Sequence, residues 1–161
     1  MNKSDELASL FWKALESDKT VMLGVDGAED GHTRPMTAQV PEHNAPIWFF
    51  TTRDNALVQR AGKNARAIAT FASKGHELFA ALQGTLSEDP SRSVVDRLWN
   101  RSVAAWYPGG KDDPTLALLR FDAERAEIWR HESSVFDGVR VMFGGGPKTQ
   151  RANDVAEVRL S

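Results

Sequence analysis

Short runs of β-forming residues, each closed by turn formers within roughly a dozen positions, constrain this chain more than any other feature. The runs "TVMLGVD" (20–26), "RPMTAQV" (34–40) and "IWFFTT" (47–52) are separated by "GAEDGHT" and "PEHNAP". "ARAIATFAS" and "ELFAALQGTLSE" follow, joined by the turn "SKGH", and then "TLALLRF" and "AEIWRH", with "DAER" between them as a hairpin turn. Runs this short, rich in β-branched and aromatic residues and bounded by Gly, Pro, Asn and Asp, favour strands over helices. Consecutive strands with short turns pair antiparallel. The expectation is a mainly β, α+β fold: six to seven antiparallel strands forming a small barrel with peripheral helices.

Helical spacing marks the periphery. Leu7, Leu10, Phe11, Ala14 and Leu15 recur on one face, with Ser4, Asp5 and Glu6 where caps and first-turn acids stabilise free amides. Asp54 is expected to cap a short helix that runs to Ala61 and ends at Gly62. Pro90 and Ser91 open a third, with Val94, Val95, Leu98 and Trp99 on one face. "SSVFDGVRVMFGGG" places Val135, Phe136, Val139, Met142 and Phe143 on a fourth. The stretch "WYPGGKDDP" reads as an irregular loop, and the chain from about residue 147 as a polar tail. No repeat or linker divides the 161 residues, so one domain is expected.

Composition narrows the partners. Twenty Lys and Arg against 22 Asp and Glu leave a net charge of −2, too balanced to draw the chain to nucleic acid or an anionic membrane. The absence of cysteine rules out disulfides and thiolate chemistry, and the charged N-terminus offers no signal-like apolar block. A cytoplasmic location is the expectation.

Motifs for familiar chemistries are missing. "GGGPKT" has Pro147 where a phosphate loop needs glycine before its lysine, and reads better as a helix stop. His32, His43, His76 and His131 are scattered, so no metal site is expected. There is no G-x-S-x-G and no dinucleotide fingerprint after a strand. Asp112 and Asp113 read as solvated turn residues, and catalytic residues stay unassigned.

A binding constellation is better supported. Arg34 begins a strand, and Thr51, Thr52 and Arg53 end another. If the two lie together, a guanidinium and two hydroxyls converge on the opening turn of the next helix, a combination suited to an anion. Pro35 cannot donate in a ladder, which places it at a strand start or edge with neighbouring backbone open to a ligand. Trp48, Phe49 and Phe50 alternate faces; these and Trp106, Tyr107 and Trp129 are either core or an aromatic wall for a planar ligand.

At these residues the chain resembles the pyridoxamine 5'-phosphate oxidase-like FMN-binding split-barrel family, general stress protein branch. "RPMT", "IWFFTTRDNALVQ", "QGTLSEDP", "DRLW", "WYPGGKDDPTLALLRF" and "AEIW" carry the resemblance, in that order. It implies a split-barrel homodimer with FMN, or alternatively FAD, at the subunit interface. By analogy Arg34, Pro35, Met36 and Thr37 face the flavin ring and ribityl phosphate, Phe50, Thr51 and Thr52 line the same subunit's share, and Trp129 and Trp106 approach from the partner. Family members commonly carry a lysine, often after an arginine, on the helix following the threonines, where this chain has Ala56 and Leu57. Losing such a charged partner removes about 1–3 kcal/mol of phosphate binding. The arginine- and serine-bearing segment and basic C-terminus of the true oxidases are not reproduced. The resemblance therefore implies a flavin-dependent oxidoreductase of another kind, a non-catalytic flavin-sequestering protein, or a dimeric interaction module that has lost flavin.

Overall fold

The computed structural model describes residues 2–62, 64–131 and 154–160. Helix α1 (Lys3–Asp18) leads into strand β1 (Thr20–Val25), a 3-10 turn at Glu29–Gly31, strand β2 (Arg34–Thr37), strand β3 (Ile47–Thr52) and helix α2 (Ala56–Ala61). Strands β4 (Ala65–Ala72) and β5 (Leu78–Glu88), helices α3 (Arg92–Leu98) and α4 (Arg101–Trp106), and strands β6 (Leu116–Arg130) and β7 (Asp154–Arg159) complete it. All strands join one antiparallel sheet in the order β2-β1-β4-β5-β6-β3, with β7 also on β6. The sheet does not close, but its two ends curl together. Just past β2, Gln39 exchanges backbone hydrogen bonds of 2.8 and 3.0 Å with Trp48 of β3.

Alternation along the strands divides the apolar residues between two cores. Leu23, Ile47, Phe49, Leu82, Leu86, Leu119, Phe121 and Ile128 point into the larger one, with Leu7, Phe11 and Leu15 of α1 and Leu57 of α2. The other face of β3 and β6 carries Trp48, Phe50, Leu116 and Leu118 into a smaller cluster covered by Leu98 of α3 and Val103 of α4. Strand β3 is thus buried on both faces, which is why "IWFFTT" reads as an unbroken apolar run.

Several expectations are corrected. "DAER" is not a hairpin turn, because residues 116–130 form one strand. Gln83 pairs with Arg125 and Gly84 with Ala123, so Glu124 is the extra residue of a bulge. A Cβ on Gly84 would lie 2.1 Å from the Asp122 carbonyl oxygen, so only glycine permits this close passage. Charged residues in mid-strand imitate a turn here because the outer side is solvated, and Glu124 pairs with Arg66 at 2.9 Å.

The C-terminal segment is not all polar tail, since 154–159 pairs with β6 and buries Val158. Asn2, not Ser4, caps α1 by accepting from the Asp5 amide at 2.8 Å. Part of the supposed loop from residue 106 belongs to α4, which Asn100 caps by accepting from the Val103 amide at 2.9 Å. The helix expected at 133–146 and the "GGGPKT" stretch lie outside the described residues. Among the described residues no helix is long and apolar enough to cross a membrane, and no three metal-binding side chains cluster.

Candidate functional site: a pocket where the sheet ends meet

Strands β2 and β3 lie at opposite ends of the sheet order, yet the curl at Gln39 and Trp48 brings them to one cavity of about 380 Å³. That volume falls within the range typical of small-molecule sites. Pro35, Met36 and Thr37 form one wall, Phe50 and Thr51 a second, and Val103 and Trp106 of α4 a third. Strand β2 has β1 as its single ladder partner, and Pro35 stands on it opposite Met22. Proline costs no hydrogen bond at such an edge, as its place in the sequence suggested.

The aromatic wall is built by the smaller core. Phe50 meets Trp99 edge-on at 5.7 Å between centroids and Tyr107 at 6.4 Å, and Trp99 and Tyr107 are themselves 6.4 Å apart. Burial pushes the Tyr107 phenol above its ordinary pKa. At the rim, Trp106 is 81% exposed, leaving a large apolar ring for something else to cover.

Thr51, the one buried polar side chain recorded among the described residues, connects the wall to α2. Its hydroxyl accepts from the Asn55 side-chain amide at 3.0 Å, while the Asn55 carbonyl oxygen accepts from the Leu57 amide at 2.9 Å. Asn55 is therefore the cap of α2, correcting the assignment to Asp54. Asp54 instead accepts a short hydrogen bond from the Thr52 hydroxyl. Thr52 is not among the residues lining the cavity.

Arg34 begins the strand that walls the cavity but is not itself among the residues lining it. Its Nη2 donates to Glu29 Oε2 at 2.6 Å, Arg60 Nε of α2 lies 3.7 Å from Glu29 Oε1, and Arg34 Nη1 is buried with no partner among the described residues. The hydrogen bond from Arg34 holds the Glu29 carboxyl below its usual range against the opposing effect of burial, helped by the charges of Arg34, Arg60 and His32. Arg53, the other strand-end cation, is drawn elsewhere, to Glu88 and the Pro114 carbonyl oxygen.

Sequence reasoning missed Lys19, Gln39, Asn100, Ser102 and Val103 as lining residues, while Tyr107 is one of the aromatics it offered as a ligand wall. Lys19 follows α1 in a left-handed conformation (φ 66°), and only the fold shows that the turn faces the cavity. Asn100 carried a readable cap signal ahead of "RSVAAW".

A family model described as pyridoxamine 5'-phosphate oxidase like matches residues 6–143. The chain belongs to this pyridoxamine 5'-phosphate oxidase-like family. A general stress family protein of Xanthomonas campestris pv. campestris has 60% identity to it and a TM-score of 0.79, over 84% of this chain and 94% of that one. The general stress FMN/FAD binding protein of Xanthomonas citri has 61% identity and a TM-score of 0.78, over 81% and 93%. General stress protein 26 of Jannaschia sp. CCS1 has 28% identity and a TM-score of 0.79, over 96% and 99%. No curated protein matches significantly.

Within this family frame, positions 56 and 57 acquire a structural reason. Leu57 is 1% exposed in the main core, so that position cannot carry a solvated cation, and Ala56 begins the helix beside it. Trp129 lies outside the cavity, on the outer face of β6, directly opposite Phe79 of β5 and Val155 of β7. Phe79 and Val155 are 38% and 41% exposed, so with Trp129 they make an apolar row across three strands.

Proposed function

We propose that this chain is a flavin-binding oxidoreductase of the general stress protein type, holding FMN in the cavity between β2, β3 and α4, and that it is not a pyridoxamine-phosphate oxidase. The observation that carries the reading is an aromatic-walled cavity whose wall strand β2 begins with Arg34, a guanidinium with a buried Nη1 that has no acceptor among the described residues. A flavin offers a planar ring to the first and a phosphate to the second. FAD is the larger alternative.

Reading the site this way assigns definite tasks to the chain's own residues. Phe50 and Tyr107 exclude water on the ring side, Pro35, Met36 and Thr37 set the ring's edge, and Arg34 anchors the phosphate. The cofactor, when bound, supplies electron transfer, and the protein supplies position and electrostatics. The assembly that completes the cavity is a homodimer. Trp106 at the rim of its own subunit's cavity and the Phe79, Trp129 and Val155 row are apolar surface that a second copy covers, with the partner copy's Trp129 approaching the cofactor.

A second reading is favoured by a specific observation: no carboxylate or histidine lines the cavity among the described residues, leaving Lys19 and Tyr107 as its titratable groups. A flavin carrier needs no acid or base, so sequestration without turnover fits equally well. FMN fluorescence titration of wild type and Arg34→Ala tests the shared part, with quenching expected in the first and weakened at least tenfold in the second (order of magnitude). Reduction of bound flavin by a nicotinamide donor then identifies an oxidoreductase, and failure with every donor leaves the carrier. A protein that quenches no flavin returns the fold to an interaction module.

A further inference from the structure

The flavin reading leaves a question of charge at the phosphate end, because positions 56 and 57 hold no cation. The structure supplies one elsewhere. Arg60 lies one turn beyond Ala56 on the same helix and approaches the Glu29 carboxylate that Arg34 already holds. Neither cation lines the cavity, but each is one step from a residue that does: Arg34 immediately precedes Pro35, Met36 and Thr37, and Arg60 sits on the helix whose cap, Asn55, is bonded to Thr51.

Two guanidiniums facing one carboxylate leave an excess positive charge, and Arg34 Nη1 is buried without an acceptor among the described residues. Buried unpaired donors are uncommon and costly, most of all on a charged group. A phosphate monoester, with three acceptor oxygens and nearly two negative charges, satisfies more of this arrangement than one carboxylate does.

The segment that carries Glu29 is a short, conformationally strained turn. Glu29 and Asp30 adopt left-handed backbone conformations (φ 52° and 54°) ahead of Gly31 (φ 79°), which disfavours non-glycine residues. The turn is held by backbone hydrogen bonds from Ala28 to the Val25 carbonyl at 3.3 Å and from Gly31 and His32 to the Ala28 and Glu29 carbonyls at 3.0 Å, and has no side-chain cap. A carboxylate presented from such a turn can leave its partners without disturbing the sheet.

We infer that Glu29 is an internal occupant of the phosphate seat, held by Arg34 and Arg60, which a phosphate-bearing flavin displaces; the inference rests on the flavin-binding reading. Arg60 takes the place of the helix cation this chain lacks, and Glu29 sets how strongly the phosphate contributes to selection among flavins. The affinity for FMN is then reduced by the fraction of molecules in which the carboxylate holds the seat.

The test compares FMN with riboflavin, which has the same ring and no phosphate, by fluorescence quenching on wild type, Glu29→Gln, Glu29→Ser and Arg60→Ala. Each variant's fold is checked by circular dichroism. Both Glu29 variants are expected to bind FMN about tenfold more tightly, and Arg60→Ala about tenfold more weakly, with riboflavin affinity unchanged throughout. Glu29 variants that bind FMN no more tightly than wild type, or tighten FMN and riboflavin equally, overturn the inference while leaving flavin binding intact. If neither flavin binds any of the four proteins, the flavin reading itself fails and takes this inference with it.

Discussion

Asn55 joins helix α2 to the wall of the cavity through Thr51, and Asn55→Ala separates the capping and wall contributions. The side chain makes two hydrogen bonds, accepting from the Leu57 amide at 2.9 Å and donating to the Thr51 hydroxyl at 3.0 Å. Removing an Asn cap costs about 1 kcal/mol. Thr51 is 7% exposed, so loss of its donor costs about 1 kcal/mol more. A total near 2 kcal/mol in a chain of this size lowers the melting temperature by roughly 4–8 °C. Asn55→Asp keeps the capping oxygen but loses the donor, so it is expected to cost only the second share, about 1 kcal/mol. The assay is urea denaturation of wild type, both Asn55 variants, Thr51→Val and the Asn55→Ala/Thr51→Val double variant. A double-mutant cycle isolates the Thr51–Asn55 bond, with an expected coupling near 1 kcal/mol. Additive single variants, or an Asn55→Ala cost below about 0.5 kcal/mol, would refute the view that this amide joins pocket wall to helix.

Three further outcomes follow from single contacts. Gly84→Ala sets a Cβ against the backbone of Asp122 and Ala123 at 2.1 to 2.9 Å, so β5 and β6 must part; a loss of about 2–3 kcal/mol is expected in the same denaturation assay. Asp154 is held below the usual carboxylate range by hydrogen bonds from Lys3 and then Arg130, an interaction that ties β7 to α1 and β6. A depressed folded-state pKa adds stability above the unfolded-state value and loses it as pH falls through the folded one. Asp154→Asn should therefore be less stable than wild type at neutral pH, with the gap closing in denaturation curves taken below the carboxylate range. Trp106→Ala removes an 81% exposed ring, so thermal stability of the isolated subunit should be unchanged while FMN titration shows affinity about three- to tenfold weaker.

Much of the sheet was legible because strand signals are local. "IWFFTT" and "ELFAALQGTLSE" declare themselves through β-branched and aromatic residues and nearby turn formers. The continuity of β6 was not, because an exposed bulge in a long strand has the polar composition of a turn; Gly84, the glycine that permits it, lies on the other strand. The short helix α4 was left unassigned apart from Trp106, which was read into the following loop, although Asn100 offered a cap. At the site, the place of Pro35 on an edge strand could be read from its missing donor, whereas Phe50 was pointed to by the family resemblance and not by its type. The approach of β2 to β3 could not be read, because they are the two ends of the sheet order and meet only through its curl. For the same reason the Glu29, Arg34 and Arg60 cluster was invisible in sequence: its members come from a turn, a strand and a helix. Arg53 looked equally available in sequence, and only the structure shows its attachment to Glu88.

In the proposed function two copies of this chain enclose flavin beside Phe50 and Trp106, with Arg34 at its phosphate. Sedimentation velocity of the protein incubated with FMN, followed at the flavin absorption band, tests it most directly. The account predicts that flavin absorbance moves with a species of dimer mass, and that Arg34→Ala leaves the dimer in place while returning the flavin to the slow, free boundary. Flavin that sediments free of the wild-type protein would contradict the account, as would flavin carried by a monomer.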